Sequence, residues 1–227
     1  MEAIFSRNML EMMMDIRFNN NKEYMHNNRD RYDKAMKQPY YQLIDLLAPT
    51  MLEIDPQMEV RPAKCLSRIF RDTRFSKSKL PYRDHHWIAF RRQAEPRDKA
   101  VMFWFEIRLE AVGWGLGFWG ENLKAMDVLR RQMLAKPKEF EALLPILDEH
   151  YFVLDGRMYQ RKKVPESLPE VLHPWYLRRE IYLVKQGINP DWVFEPGLEN
   201  RLAKDFLALK PFYWMLKGAY DFANLDL

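Results

Sequence analysis

The stretch VMFWFEIRLEA, residues 101–111, alternates. Phe103, Phe105, Ile107 and Leu109 fall on one parity, and Trp104, Glu106, Arg108 and Glu110 on the other. Successive side chains of a strand point to opposite faces, so this period of two predicts a half-buried antiparallel strand. The segments on either side limit the topology further. Phe5, Met9, Met12, Met13 and Ile16 recur at three- and four-residue spacing, which predicts a helix with that stripe facing a core. Asn20, with Glu23 three residues on, is placed to cap a second helix running to about Met36. Pro39 restarts the chain. A third helix follows with Leu43, Leu46, Leu47 and Leu52 inward, and Pro49 predicts a kink or an early end. Helical spacing returns after residue 121 and again in Leu198, Leu202, Phe206 and Leu209. Helices at both ends, strands between them and no strand–helix alternation predict an α+β fold: an antiparallel sheet packed with N-terminal and C-terminal helices.

Further strands are expected in MEVRPAKCLSRIFRD (58–72, strand, loop, strand) and in WIAFRRQ (87–93). YFVLDGRMYQR reads as a hairpin turning at Asp155-Gly156, and the last 60 residues read as helical. Four of the eight glycines lie in GWGLGFWG, residues 113–120. That clustering predicts a close-packed turn with Trp114 and Trp119 over the core; a ligand-stacking wall is the alternative. Within it GLGFWG has the spacing of a dinucleotide loop, but no βαβ unit surrounds it and no Gly-Lys-Ser/Thr follows, so no cofactor is expected. Without a linker or repeat, residues 1–227 read as a single domain.

Cys65 is the only cysteine, which rules out an intrachain disulfide and points to a small buried core residue. His85 and His86 are adjacent and so point to opposite faces of a strand, a poor arrangement for sharing a metal; no metal site is expected. The N-terminus lacks the apolar core of a signal peptide, and no run approaches the ~18 uncharged apolar residues of a membrane helix. The expectation is a soluble cytoplasmic protein with no membrane partner.

The charge is unevenly spread. The chain carries +4 overall, yet residues 61–92 hold ten Lys/Arg against Asp72 and Asp84, a local +8. Arg68, Arg71, Arg74, Lys77, Lys79 and Arg83 fall within sixteen residues. Arginine matches a carboxylate or phosphate with a planar fork of donors, while lysine acts as a point charge. A strand and loop carrying these cations is a candidate site for an anionic small molecule. Arg68, Arg71 and Arg74 would be the forked contacts, Lys77, Lys79 and Arg83 the field, and Tyr82 a polar or stacking partner. Asp72 and His85 are the candidate proton carriers if a reaction follows. Ser76 and Ser78, beside lysines, are weaker nucleophile candidates. Two other readings stay open. Interleaved Phe70, Phe75, Tyr82 and Trp87 also suit nucleic-acid phosphates and bases. Alternatively, the cations pair internally and the segment is a scaffold, with Trp114, Phe118 and Trp119 meeting another protein.

RIFRDTRFSKSKLPYRDH, residues 68–85, resembles the central motif of the DUF2461 family of bacterial and fungal proteins. Asn19, Asn20 and Tyr24 match its N-terminal part, and GWGLGFWGEN matches its glycine-rich stretch more loosely. The likeness spans about residues 5–220 and implies a single α+β domain. It singles out Arg68, Arg71, Asp72, Arg74, Phe75, Lys77, Lys79, Pro81 and Tyr82 as the signature. The motif's acid at position 78 is Ser78 in this chain, which leaves the segment more cationic. No activity comes with the resemblance.

Overall fold

The computed structural model describes residues 2–74 and 77–225. In chain order its elements are α1 (Asn8–Phe18), α2 (Lys22–Asn27), α3 (Arg29–Tyr32), α4 (Gln38–Ile54), α5 (Pro62–Cys65), β1 (His86–Phe90), β2 (Val101–Ile107), β3 (Val112–Phe118), α6 (Leu123–Ala135), α7 (Pro137–Glu141), α8 (Leu144–Glu149), β4 (Val153–Asp155), α9 (His173–Tyr176), β5 (Tyr182–Ile188), α10 (Leu198–Ala208) and α11 (Lys210–Ala223). The fold is α+β, with one antiparallel sheet in the order β1-β2-β3-β5-β4. Among the described residues no helix is long and apolar enough to cross a membrane. Contacts divide the chain into two compact units. One comprises Met1–Phe90, Trp104–Trp114 and Gln186–Lys204; the other comprises Arg91–Phe103, Gly115–Lys185 and Asp205–Leu227.

In the first unit the methionine stripe is core, since Met9, Met12, Met13 and Ile16 are all buried. Asn21, one residue later than expected, caps α2 by accepting the Tyr24 N–H at 2.8 Å. Asn20 is thereby released for another task. Pro39 does not restart the chain: helix continues from α3 through a wide π segment, Asp33–Lys37, directly into α4. A proline inside a helix cannot donate to the carbonyl four residues back, and a π turn is one way for the backbone to absorb that. Pro49 likewise lies inside α4, which runs on to Ile54. Its buried stripe is Tyr40, Leu43, Ile44, Leu47, Met51 and Ile54, whereas Leu46 and Leu52 are exposed, contrary to expectation. In the stretch 58–72, expected as strand, loop, strand, Pro62–Cys65 form a short helical turn, α5, and Leu66 and Phe70 make isolated bridges. Cys65 is buried and its thiol donates to the Glu59 carbonyl at 3.1 Å.

The second unit corrects three expectations. The segment GWGLGFW is mostly strand: β3 is buried along its whole length. A Cβ on Gly115 would lie 2.0 Å from the Leu183 carbonyl oxygen, and one on Gly117 would lie 2.3 Å from that of Ile181. The glycines therefore let β5 approach rather than turn the chain. β4 forms no hairpin at Asp155-Gly156. It pairs instead with β5, Val153 opposite Val184 and Asp155 opposite Tyr182, and Gly156 takes φ 118°. β5 itself lies in the region expected to be helical. Here the core is aromatic: the Phe103 ring sits 5.3 Å from Phe206 and 5.5 Å from Tyr213.

Candidate functional site

The basic segment folds back on itself in two extended arms. Leu66 pairs with Ile88, and Phe70 with Tyr82, both antiparallel. The Ser67 N–H donates to the Trp87 carbonyl at 2.9 Å, that of Arg83 to Ile69 at 2.7 Å, and that of Arg71 to Pro81 at 2.9 Å. Asn20 holds the returning arm from outside. Its Nδ2 donates to the Tyr82 carbonyl and its Oδ1 accepts the Tyr82 N–H, each at 3.0 Å. The carboxamide thus imitates a neighbouring strand and ties the α1–α2 junction to the motif. Arg83 closes the gap between the arms, donating to the carbonyls of Arg68 at 3.0 Å and Phe70 at 2.7 Å. Its guanidinium also lies 4.9 Å from the centre of the Trp87 ring.

The two histidines diverge as the strand period requires. His86 is buried, with Nε2 2.8 Å from the Tyr32 hydroxyl and Nδ1 3.0 Å from Ser67 Oγ. Burial drives its pKa down to about 3, so it stays neutral. His85 faces the other way, with Nδ1 2.7 Å from Asp84 Oδ1 and Nε2 3.4 Å from Glu106 Oε1. Partial burial works against its charged form, but the two carboxylates outweigh it and raise the pKa. Bonds from His85 and Arg17 hold the Asp84 carboxyl far below the usual range, despite burial. Arg17 bonds Asp84 and Glu110, both at 2.6 Å, and Arg108 bonds Glu106 at 2.8 Å.

A cleft of about 320 Å3 lies beside His85, lined from the motif by Arg71, Leu80, Tyr82, Arg83, Asp84 and His85. Asn20 and Arg17 line it from α1 and the turn beyond. Among the described residues the Arg71 side chain makes no ion pair, and it is half-buried. It also faces Arg83: burial first, and then the nearby Arg71 charge, lower the pKa of that guanidinium. Two mutually repelling cations therefore line the same cleft.

The remaining expected site residues lie outside this lining. Arg74 grips Asp72 with two side-chain bonds, 3.0 and 2.7 Å, and this pairing lowers the Asp72 pKa to about 2. Lys79 donates to the Thr73 carbonyl at 3.0 Å. Arg68 and Lys77 are exposed and make no ion pair among the described residues. Phe75 and Ser76 lie outside the described residues. The sequence gives no sign of Arg17 as a site residue, and it suggests Asn20 first as a helix cap. The one signal for the latter was the second asparagine beside it, a better cap by one position.

No curated protein and no solved structure matches the chain. The family profile described as "Conserved hypothetical protein (DUF2461)" matches residues 8–214, a span that takes in α1, the Asn20 clamp, both arms of the motif and the cleft between them. The chain belongs to this family.

Proposed function

We propose that the protein binds a small anion, with a carboxylate or phosphate group, in the cleft lined by Arg71, Arg17, Arg83 and His85. The observation that carries this reading is Arg71: a half-buried guanidinium without an ion pair among the described residues, at a cleft whose lining holds three arginines against one acid, Asp84. A guanidinium that lines a cleft and has no ion pair among the described residues keeps its planar fork of donors available to an anion. Leu80 and the Tyr82 ring add an apolar wall, suited to a carbon body behind the anionic group. A volume of about 320 Å3 falls at the low end of ligand clefts, so the molecule is small. His85, whose pKa the neighbouring Asp84 and Glu106 carboxylates raise despite burial, is the group positioned to exchange a proton. Arg68, Lys77 and Lys79 contribute only a field that draws anions toward the cleft. The lone buried Cys65 fits a cytoplasmic setting.

Thermal melts at low salt against sugar phosphates, nucleotides and carboxylates test the proposal. A ligand at 100 times its dissociation constant adds about 2.7 kcal/mol. Each kcal/mol moves the midpoint of a chain this size by roughly 2–4 °C. A shift of several degrees is expected for one anion class, lost in Arg71→Met and kept in Arg74→Ala. No shift with any anion, or equal loss in both variants, would reject the cleft.

The Phe70 ring, 56% exposed near Arg68, which makes no ion pair among the described residues, favours a second reading as a single-stranded nucleic-acid contact. Under that reading affinity falls steeply with salt and Phe70→Ala weakens it, while Arg71→Met does not.

A further inference from the structure

Helix α11 carries two apolar stripes. Phe212, Tyr213, Leu216 and Tyr220 are buried against the second unit's core. Trp214, Met215 and Gly218, at i, i+1 and i+4, form another stripe, which with Phe140 and Leu143 lines a groove of about 420 Å3. Trp214 is 41% exposed there.

Gly218 is the informative residue. A Cβ built on it meets nothing within 4 Å, and its backbone is not left-handed. Neither packing nor dihedral geometry asks for glycine, which is the least favourable ordinary residue in a helix interior. What the missing side chain does produce is an open floor beside Trp214.

The polar part of the lining fixes the kind of occupant. Lys136 Nζ lies 2.9 Å from Glu139 Oε1, so the two charges in the groove answer each other. The Gln132 carboxamide also borders the groove and hydrogen-bonds to no side chain or backbone group among the described residues. It therefore offers a donor and an acceptor side by side, the arrangement by which carboxamides read the edge of a heterocycle. The volume suits a small molecule.

We propose that this groove binds a neutral, flat aromatic or heteroaromatic molecule whose edge presents a hydrogen-bond donor beside an acceptor. The ring would lie over Gly218 against Trp214, and the Gln132 carboxamide would pair with the edge. Net neutrality of the lining disfavours a charged ligand, which would have to break the Lys136–Glu139 pair. The site shares no residue with the anion cleft and does not depend on it.

Benzamide is the probe, titrated by saturation-transfer NMR beside benzoate, benzylamine and cyclohexanecarboxamide, with melting midpoints recorded for every variant. Benzamide is expected to saturate at least tenfold more tightly than the charged and non-flat analogues. Gly218→Leu should melt at or above the wild-type midpoint yet bind benzamide at least tenfold more weakly. Gln132→Leu should weaken benzamide at least tenfold and leave benzoate as weak as before, and Arg71→Met should leave benzamide affinity unchanged. Absence of saturable binding, equal binding of a charged analogue, unchanged affinity in Gly218→Leu, or loss of binding in Arg71→Met would each overturn the proposal.

Discussion

The imidazole of His85 lies between two carboxylates, and that of His86 between a phenol and a serine hydroxyl. Their pKa shifts have opposite signs, and so do their effects on stability. His85, raised in the folded state, contributes fully below its unfolded value near 6.5; that contribution is lost as pH rises through the folded value. His86, lowered to about 3, stays neutral while the unfolded chain takes up a proton, so stability falls as pH drops below about 6.5. Each acts with a slope of at most about 1.4 kcal/mol per pH unit. Urea midpoints from pH 4.5 to 8.5 should therefore peak near pH 6.5. His85→Gln should flatten the alkaline side and leave the acid side in place; an alkaline slope unchanged by that substitution would rule out the carboxylate bracket. The divergence of this pair was legible from the period of two alone. That Asp84 and Glu106 flank one of them was not, because Glu106 is 21 positions away and only strand pairing brings it near.

At the scale of elements, Gly115 and Gly218 differ in a way that composition cannot separate. Gly115 is required by close approach, since any Cβ there would collide with the Leu183 carbonyl. Gly218 is required by no contact. Gly115→Ala should cost at least about 1–3 kcal/mol, as overpacking against backbone does. Gly218→Ala should instead stabilise by about 0.5–1 kcal/mol. Chemical denaturation of the two variants distinguishes them, and a shared sign would contradict the geometry. The same glycines explain why β3 was read as a turn: residues that permit tight packing of strands are also the residues that permit turns. α1 and β2 were legible because each buries one face with its own period. β4 and β5 were not, because β4 has three residues and its partner follows 27 positions after its end, beyond the reach of any hairpin signal. In the candidate site, the motif residues Arg71, Tyr82, Arg83 and His85 stood out by charge and order. Arg17 and Asn20 come from a distant helix end, where nothing local marks Arg17 and only the neighbouring asparagines and the family resemblance mark Asn20.

For the whole molecule, β2, β3 and β5 each begin in one compact unit and end in the other. Only β1 and β4 lie whole in one unit, and no linker separates the units along the chain. We propose that both unfold together. Calorimetry should show a single transition with equal calorimetric and van't Hoff enthalpies, and two resolved peaks would refute it. The indoles of Trp114 and Trp192 belong to one unit and lie 4.8 Å apart, 8° from parallel, with the Arg201 guanidinium 4.4 Å from the Trp192 ring centre. On the ribosome this has a cost in time. Trp114 leaves the exit tunnel 78 residues before its stacking partner. At ~5–20 residues per second it waits roughly 4–16 s for Trp192. During that interval the nascent chain presents a half-built aromatic surface, the kind that a chaperone recognises.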